Sequence, residues 1–254
     1  MARKTLDQQI QNLKDEILIL GSMVEEATLK SVDSLKKRDM NAARQIYDYD
    51  ANINERRFAI ENGILILIAT QQPIAHDLRL VAAMLEVITE LERMGDYAKG
   101  IAKVTLRLGT TVFSIPHGEI QRMADLAIDM LHRALTAFID QNANAAQLIP
   151  QDDDKVDALY LHIYHHLVSE MIANPEVIDQ ANLLIWTIHN LERLADRVIN
   201  ICERTIFIAT GDIFELDKEY RLFVDDEEEG EEEEDDEEED RNFNSDPAST
   251  EVTE

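Results

Sequence analysis

One pattern occurs twice in this chain, one hundred positions apart: LERMGDYAKGIAK from Leu91 to Lys103, and LERLADRVINICER from Leu191 to Arg204. Each copy carries Leu-Glu-Arg, two further residues and Asp, so Glu92 and Asp96 return as Glu192 and Asp196. A second segment repeats as well. NAARQIYDYDANIN (41–54) is answered by NAAQLIPQDDDKVD (144–157), a shift of 103, and Pro73 is answered by Pro175. The order of these features is the same in both halves, so the fold is built from one unit used twice.

That unit is helical. Ile10, Leu13, Ile17, Leu20, Val24, Ala27, Val32 and Leu35 recur at helical spacing and predict a first helix from Leu6 to about Lys37, with Asp39 and Asn41 as turn or capping residues. A second helix is expected from about Met40 to Thr70, and a third, with Pro73 at its head, to about Leu108. Pro116 and Gly118 break the pattern, and the plan restarts with a helix over Ile120–Ile139 and a turn over 140–144. Pro150 stands where the first half has Tyr47, so the fifth helix is expected from about Gln151. The sixth opens at Pro175 and ends near Thr210, before Gly211. No strand alternation and no Gly-rich phosphate loop interrupt this reading. The predicted class is all-α: two tandem three-helix bundles, over residues 1–110 and 116–216, set end to end around a pseudo-twofold.

Helical geometry divides the repeated motif into two faces. Leu91, Met94, Gly95, Ala98, Ile101 and Ala102 form an apolar stripe, repeated by Leu191, Leu194, Ala195, Val198, Ile201 and Cys202. Glu92 and Asp96, one turn apart, lie away from it, as do Glu192 and Asp196. Like charges at that spacing repel by about 0.2–0.5 kcal/mol in an isolated helix, and the chain accepts this cost twice. The second copy continues along the same face with Asn200 and Glu203, where the first has Gly100 and Lys103. The repeated 41–54 and 144–157 segments add Asp50 with Asn54, and Asp153 with Asp157. In an antiparallel bundle these pairs can reach the surface of the motif helix.

An all-oxygen, thiol-free group of this kind suits Mg²⁺, Mn²⁺, Fe and, less selectively, Zn²⁺. A lone Glu-x-x-x-Asp is weak support for a metal, since any solvated helix face produces it; pairing of Arg93 and Arg193 with neighbouring carboxylates is the plain alternative. Two copies in matching places strengthen the metal reading. A ferritin-like centre needs Glu-x-x-His pointing into the core, whereas here His189 precedes Glu192 and the carboxylates face outward. His162, His165 and His166 read as surface or partly buried histidines, Cys202 as a small core residue, and Trp186 with Ile185 as core. No hydroxyl, thiol or lysine stands beside a recognisable base, so no nucleophile is assigned and the chain is not expected to be an enzyme.

The formal charge of −28 argues against nucleic acid as a partner. Much of that charge lies in 217–254, where Asp225–Asp240 is acidic at every position but Gly230 and is expected to be a disordered tail. Cys202 is the single cysteine, and the N-terminus shows no apolar signal core, which fits a cytoplasmic protein.

LGSMVEEA (20–27), QQPIAHDLR (71–79), the two Leu-Glu-Arg motifs and the closing Ala209-Thr210-Gly211 together resemble the PhoU family. The resemblance implies two three-helix bundles and multinuclear clusters of divalent or trivalent metal ions bound through Glu92 and Asp96, and through Glu192 and Asp196. It implies a non-enzymatic adaptor, a homodimer that negatively regulates phosphate-starvation genes. Its partners would be the ATPase subunit of a phosphate ABC transporter and a phosphate sensor histidine kinase, with the membrane reached only through them. Lys103 departs from the acidic residue seen at Glu203. An accessory role with a different phosphate transporter, or a carboxylate-bridged metal enzyme or storage protein, are the alternative expectations.

Overall fold

The computed structural model describes residues 2–109, 116–213 and 215–216, and contains no strand among them. The chain runs α1 (Ala2–Lys37), α2 (Met40–Gln71), α3 (His76–Leu108), α4 (His117–Asp140), α5 (Ala143–Leu148), α6 (Asp153–Ala173) and α7 (Ile178–Thr210). The expected six long helices are present, with α5 as a short addition. Asn142 caps it by accepting from the Ala145 N–H, and Pro150 then sits in the 3₁₀ turn Ile149–Asp152 that leads into α6. Residues before Pro150 are thus helical too, and the proline marks a break within the fifth helix. Pro175 plays a similar part, in the 3₁₀ turn before α7. Pro73 lies in the connector ahead of α3. Gln72 ends α2 in the left-handed region, and Ala75, also at positive φ, delays the helix to His76.

The duplication extends to turn geometry. Arg38 and Gln141, equivalent under the shift of 103, both have φ of 54°. Each is followed by an N-cap: Asp39 accepts from the Asn41 and Ala42 N–H groups, and Asn142 from Ala145. A left-handed residue turns the chain back and the next side chain satisfies the first amides of the new helix.

The two halves join side by side, which corrects the end-to-end expectation. α3 and α7 share the largest helix–helix interface, and α1 also packs on α4. Contacts α1–α3, α3–α7, α7–α4 and α4–α1 close a ring of four helices, with α2 outside one edge and α6 outside the other. All twelve positions of the two predicted apolar stripes are buried, as is Phe138 of α4. Small residues allow the close approach: a Cβ on Gly100 would meet the Asn190 side chain at 3.0 Å, and one on Gly21 would meet Leu135 at 2.3 Å.

A polar seam runs along the α3–α7 contact. Glu90, buried, pairs with Arg93 at 2.9 Å and with Arg197 of the other half at 3.5 Å; Arg204 reaches Glu86 at 3.1 Å, and Arg193 stacks over the Tyr97 ring. The pairs 86–204, 90–197 and 97–193 run in opposite directions along the two helices, as antiparallel packing requires. Trp186, expected in the core, is 46% exposed, and Ile185 is only half-buried. The buried line of α7 passes through Ala181, Leu184, Ile188 and Leu191, and Trp186 falls off it. At the C-terminal end of α7, Gly211 at φ 86° closes the helix against Arg79, whose Nε lies 3.4 Å from the Ile208 carbonyl.

The equivalent caps make a paired test. Asp39→Ala and Asn142→Ala should each lower unfolding free energy by about 1 kcal/mol, and the double variant by their sum, because the sites share no partner. Urea denaturation checks this; a null effect at Asn142 would leave α5 held by tertiary packing alone.

Candidate metal centre

The outward faces of α3 and α7 bear the predicted carboxylates, and the outer helices α2 and α6 each present a buried aspartate to them. Asp50 of α2 and Asp153 of α6 are equivalent positions, 5% and 4% exposed. On the first surface Asp50, Glu92 and Asp96 come together: burial, then Asp96, raises the Glu92 carboxyl above its ordinary range, with Asp50 adding to it. Asp96 is raised by burial and by Asp50. On the second surface Glu192, Asp196, Asp157 and Asp153 gather. Burial is the largest cause holding Glu192 up at about 7, and the three neighbouring aspartates add to it in that order.

Asp50 Oδ1 and Glu192 Oε2 are among the buried oxygens on these surfaces that make no hydrogen bond. His189 Nδ1 lies 3.3 Å from the latter. Among the described residues, no three His, Cys, Asp or Glu side chains stand ready-made as a metal-ligand group. The surrounding field has a direct cause: carboxylates of like charge repel one another, and on the first surface Asp50 is turned to Lys99 at 2.6 Å.

The remaining predicted positions separate. Asn54 Nδ2 donates to Asp50 Oδ2 at 3.1 Å, supporting it. Asn200 is half-buried one turn beyond Asp196. Glu203 leans toward Arg204 at 3.8 Å and is not among the charges acting on Glu192. Of the motif arginines, Arg93 is bonded to Glu90 and Arg193 stacks on Tyr97, and the charge of each works against the upward shift of its neighbouring glutamate, Glu92 or Glu192. Sequence reasoning missed Lys99 and Arg57 as neighbours of the first surface, though Lys99 follows Asp96 at i+3, a spacing that places both on one face; His189 was noted three residues before Glu192, but only in testing a ferritin-like centre. His162 pairs with Glu119 at 3.0 Å on an exposed surface, and His165 and His166 are exposed. Cys202 is fully buried, its thiol pushed up to about 12 by that burial, which removes it as a nucleophile.

Fold and surface together define a class: a duplicated three-helix unit in which each copy carries an acidic face on its motif helix. The family model described as PhoU domain matches twice, at residues 17–105 and 120–205. The chain belongs to the PhoU family. It is 34% identical over 218 residues to the phosphate-specific transport system accessory protein PhoU homolog of Clostridium acetobutylicum, covering 85% of this chain and all of that relative. It is 30% identical over 220 residues to the accessory protein PhoU of Escherichia coli K12, covering 83% and 90%. The crystal structure of the phosphate transport system regulatory protein PhoU from Streptococcus pneumoniae is similar, with a TM-score of 0.77 at 31% identity over 83% of this chain and 99% of that one. PhoU from Pseudomonas aeruginosa gives 0.76 at 28% identity over 81% and 99%.

Folding raises the proton affinity of Glu192, and the sign of the pH effect follows. The stability this group confers is complete below its ordinary value of 4.5 and is lost as pH rises through about 7. In metal-free protein the thermal midpoint should fall from about pH 5 to about pH 8, and Glu192→Gln, neutral throughout, should remove part of the fall. His189, Tyr160, Arg193 and the three aspartates also face this group, so the comparison is between the two proteins at each pH. Superimposable profiles would make Glu192 an ordinary solvated carboxylate.

Proposed function

We propose that this chain is a regulatory accessory protein of phosphate uptake that works as a metal-dependent adaptor. In this reading it binds divalent or trivalent cations (Fe, Mn, Zn or Mg) on its carboxylate faces. It couples the ATPase subunit of a phosphate ABC transporter to a sensor histidine kinase, restraining phosphate-starvation genes when phosphate is plentiful. The relatives named above carry accessory and regulatory titles, and no helix among the described residues is long and apolar enough to cross a membrane, so contact with a transporter would be peripheral.

The observation that carries the metal part is the second surface. Glu192 is half-buried, its carboxyl raised by burial and by Asp196, Asp157 and Asp153, and its Oε2 makes no hydrogen bond and lies 3.3 Å from His189 Nδ1. An all-oxygen donor set relieved by a positive charge fits a hard or borderline cation. When bound, such an ion would supply charge compensation and open coordination positions for an anion such as phosphate. The chain's own residues do the rest: α6 contributes Asp153 and Asp157 and α7 contributes Glu192 and Asp196 to one surface, and the buried stripe of α7 fixes the rotation of that helix.

Metal content by mass spectrometry, on protein purified without chelator or nickel, should reveal bound metal in the wild type that Glu192→Ala/Asp196→Ala abolishes while helicity is kept. In cells, deleting the gene should derepress a phosphate-starvation reporter at high phosphate. The wild type should restore silence and the double variant should not. Restoration by the double variant would separate regulation from the metal, and a silent reporter in the deletion strain would sink the regulatory reading.

A further inference from the structure

Between α1 and α2, away from both carboxylate surfaces, lies an open groove of about 450 Å³. Its buried lining is apolar, formed by Ala27 of α1 and Ile46 of α2. Lys30 stands over it from α1, and Gln45 and Tyr49, one turn apart, from α2. Sites for small molecules are cavities of roughly 300–1,000 Å³ with an apolar body and a few polar groups, and this groove has that make-up.

The second half shows what chemistry the groove accepts. The shift of 103 carries Glu26 and Lys30 onto Asp129 and Arg133, and the i, i+4 ion pair is present in both halves. Two positions differ. Met130, fully buried, stands where the first half has Ala27, and Asp152 stands where it has Tyr49. Asp152 bonds Arg133 although Arg133 is already paired with Asp129, so a cation at this position takes a second carboxylate beside its own helical partner. In the first half Lys30 Nζ lies 2.5 Å from Glu26 Oε1, and Tyr49 is close enough to act on its charge. Asp33, the other acid of the groove, is paired with Lys37 at 2.7 Å. Lys155, which also reaches Asp152, has Asn52 as its counterpart, so Lys30 is the ammonium that would receive a second carboxylate here. The smaller Ala27 leaves room beneath it for an apolar body.

We propose that the α1–α2 groove binds a small organic monocarboxylate. Its carboxylate is set on Lys30, in the place that Asp152 takes on Arg133, and its aliphatic body lies over Ala27 and Ile46. The Gln45 amide and the Tyr49 hydroxyl are the further donors at that end. Glu26 and Asp33 on either side of Lys30 select against ligands of higher negative charge, inorganic phosphate among them. The groove shares no residue with the carboxylate surfaces, so this site stands whether or not they hold metal.

The test is calorimetric titration of sodium octanoate into the full-length protein, with octanamide as the uncharged analogue and EDTA present to keep metal out of the measurement. The wild type should take up octanoate at one saturable site and bind octanamide about three- to tenfold more weakly. Lys30→Gln, which keeps a polar end beside Glu26, should weaken octanoate by the same factor and leave octanamide unchanged, whereas Lys30→Arg should retain octanoate. Ala27→Met should weaken both ligands at least about tenfold by filling the groove. Tyr49→Asp, which gives Lys30 a carboxylate from the chain itself, should exclude octanoate as well and serves if the methionine variant folds poorly. Arg133→Gln, in the other half, should change neither ligand. Absence of saturable octanoate uptake at millimolar concentration would overturn the proposal. So would equal affinity for octanoate and octanamide. Uptake that neither Ala27→Met nor Tyr49→Asp reduces would place the ligand elsewhere and overturn it too.

Discussion

The antiparallel packing of α3 on α7 is the interaction on which the other features depend. Each helix buries one apolar stripe, Leu91 to Ala102 or Leu191 to Cys202, and the 3.6-residue period then sends the acidic positions to the other side. Burying a Leu, Ile or Met side chain is worth roughly 1.5–3 kcal/mol, whereas the repulsion between two carboxylates one turn apart is a few tenths. The core therefore decides how each helix is rotated, and the carboxylates are carried outward by it. The acidic faces are stable in place because their cost is small beside the stripe that positions them.

The same contact explains why the halves sit side by side. A duplicated amphipathic unit can close its own three helices and leave the motif helix with one further flank. Glu90 and Asn190, at equivalent positions, are both buried on that flank, and Glu90 meets Arg197 of the opposite half. A buried carboxylate without a partner is far more costly than one that is paired. Arg93 of the same helix pairs with one Glu90 oxygen, the side-by-side join brings Arg197 to the other, and Gly100 and Gly21 remove the bulk that would hold the helices apart.

Helix number, order and rotation were legible in the sequence because periodicity and duplication report them directly: the stripe positions, Asp39 as a cap and Gly211 as a stop all lie where the pattern places them. The mode of joining was not, since the stripe residues are buried in either arrangement; the clue was a charged residue, Glu90, within the buried register. Trp186 was misplaced because apolar character was given more weight than its angular position on α7. Asp50 and Asp153 were found through the repeat, yet Lys99 was passed over in favour of Lys103. Charge bookkeeping along the chain does not say which cation reaches a carboxylate on a neighbouring helix. That distance is set by α2 packing on α3.

Duplication followed by unequal substitution has a physical consequence beyond symmetry. A buried group of carboxylates must be compensated by a proton, by an ammonium from the chain or by a metal ion, and the three respond to different variables. A proton follows pH, a metal follows its supply, and a lysine on the adjacent helix responds to neither within the ordinary range. Lys99 beside Asp50 supplies an ammonium on the first face, while Glu192, raised to about 7 among three aspartates, makes the second face responsive to protons. Because α3 and α7 pack against one another through Glu90 and Arg197, both acidic faces are carried on one packed helix pair.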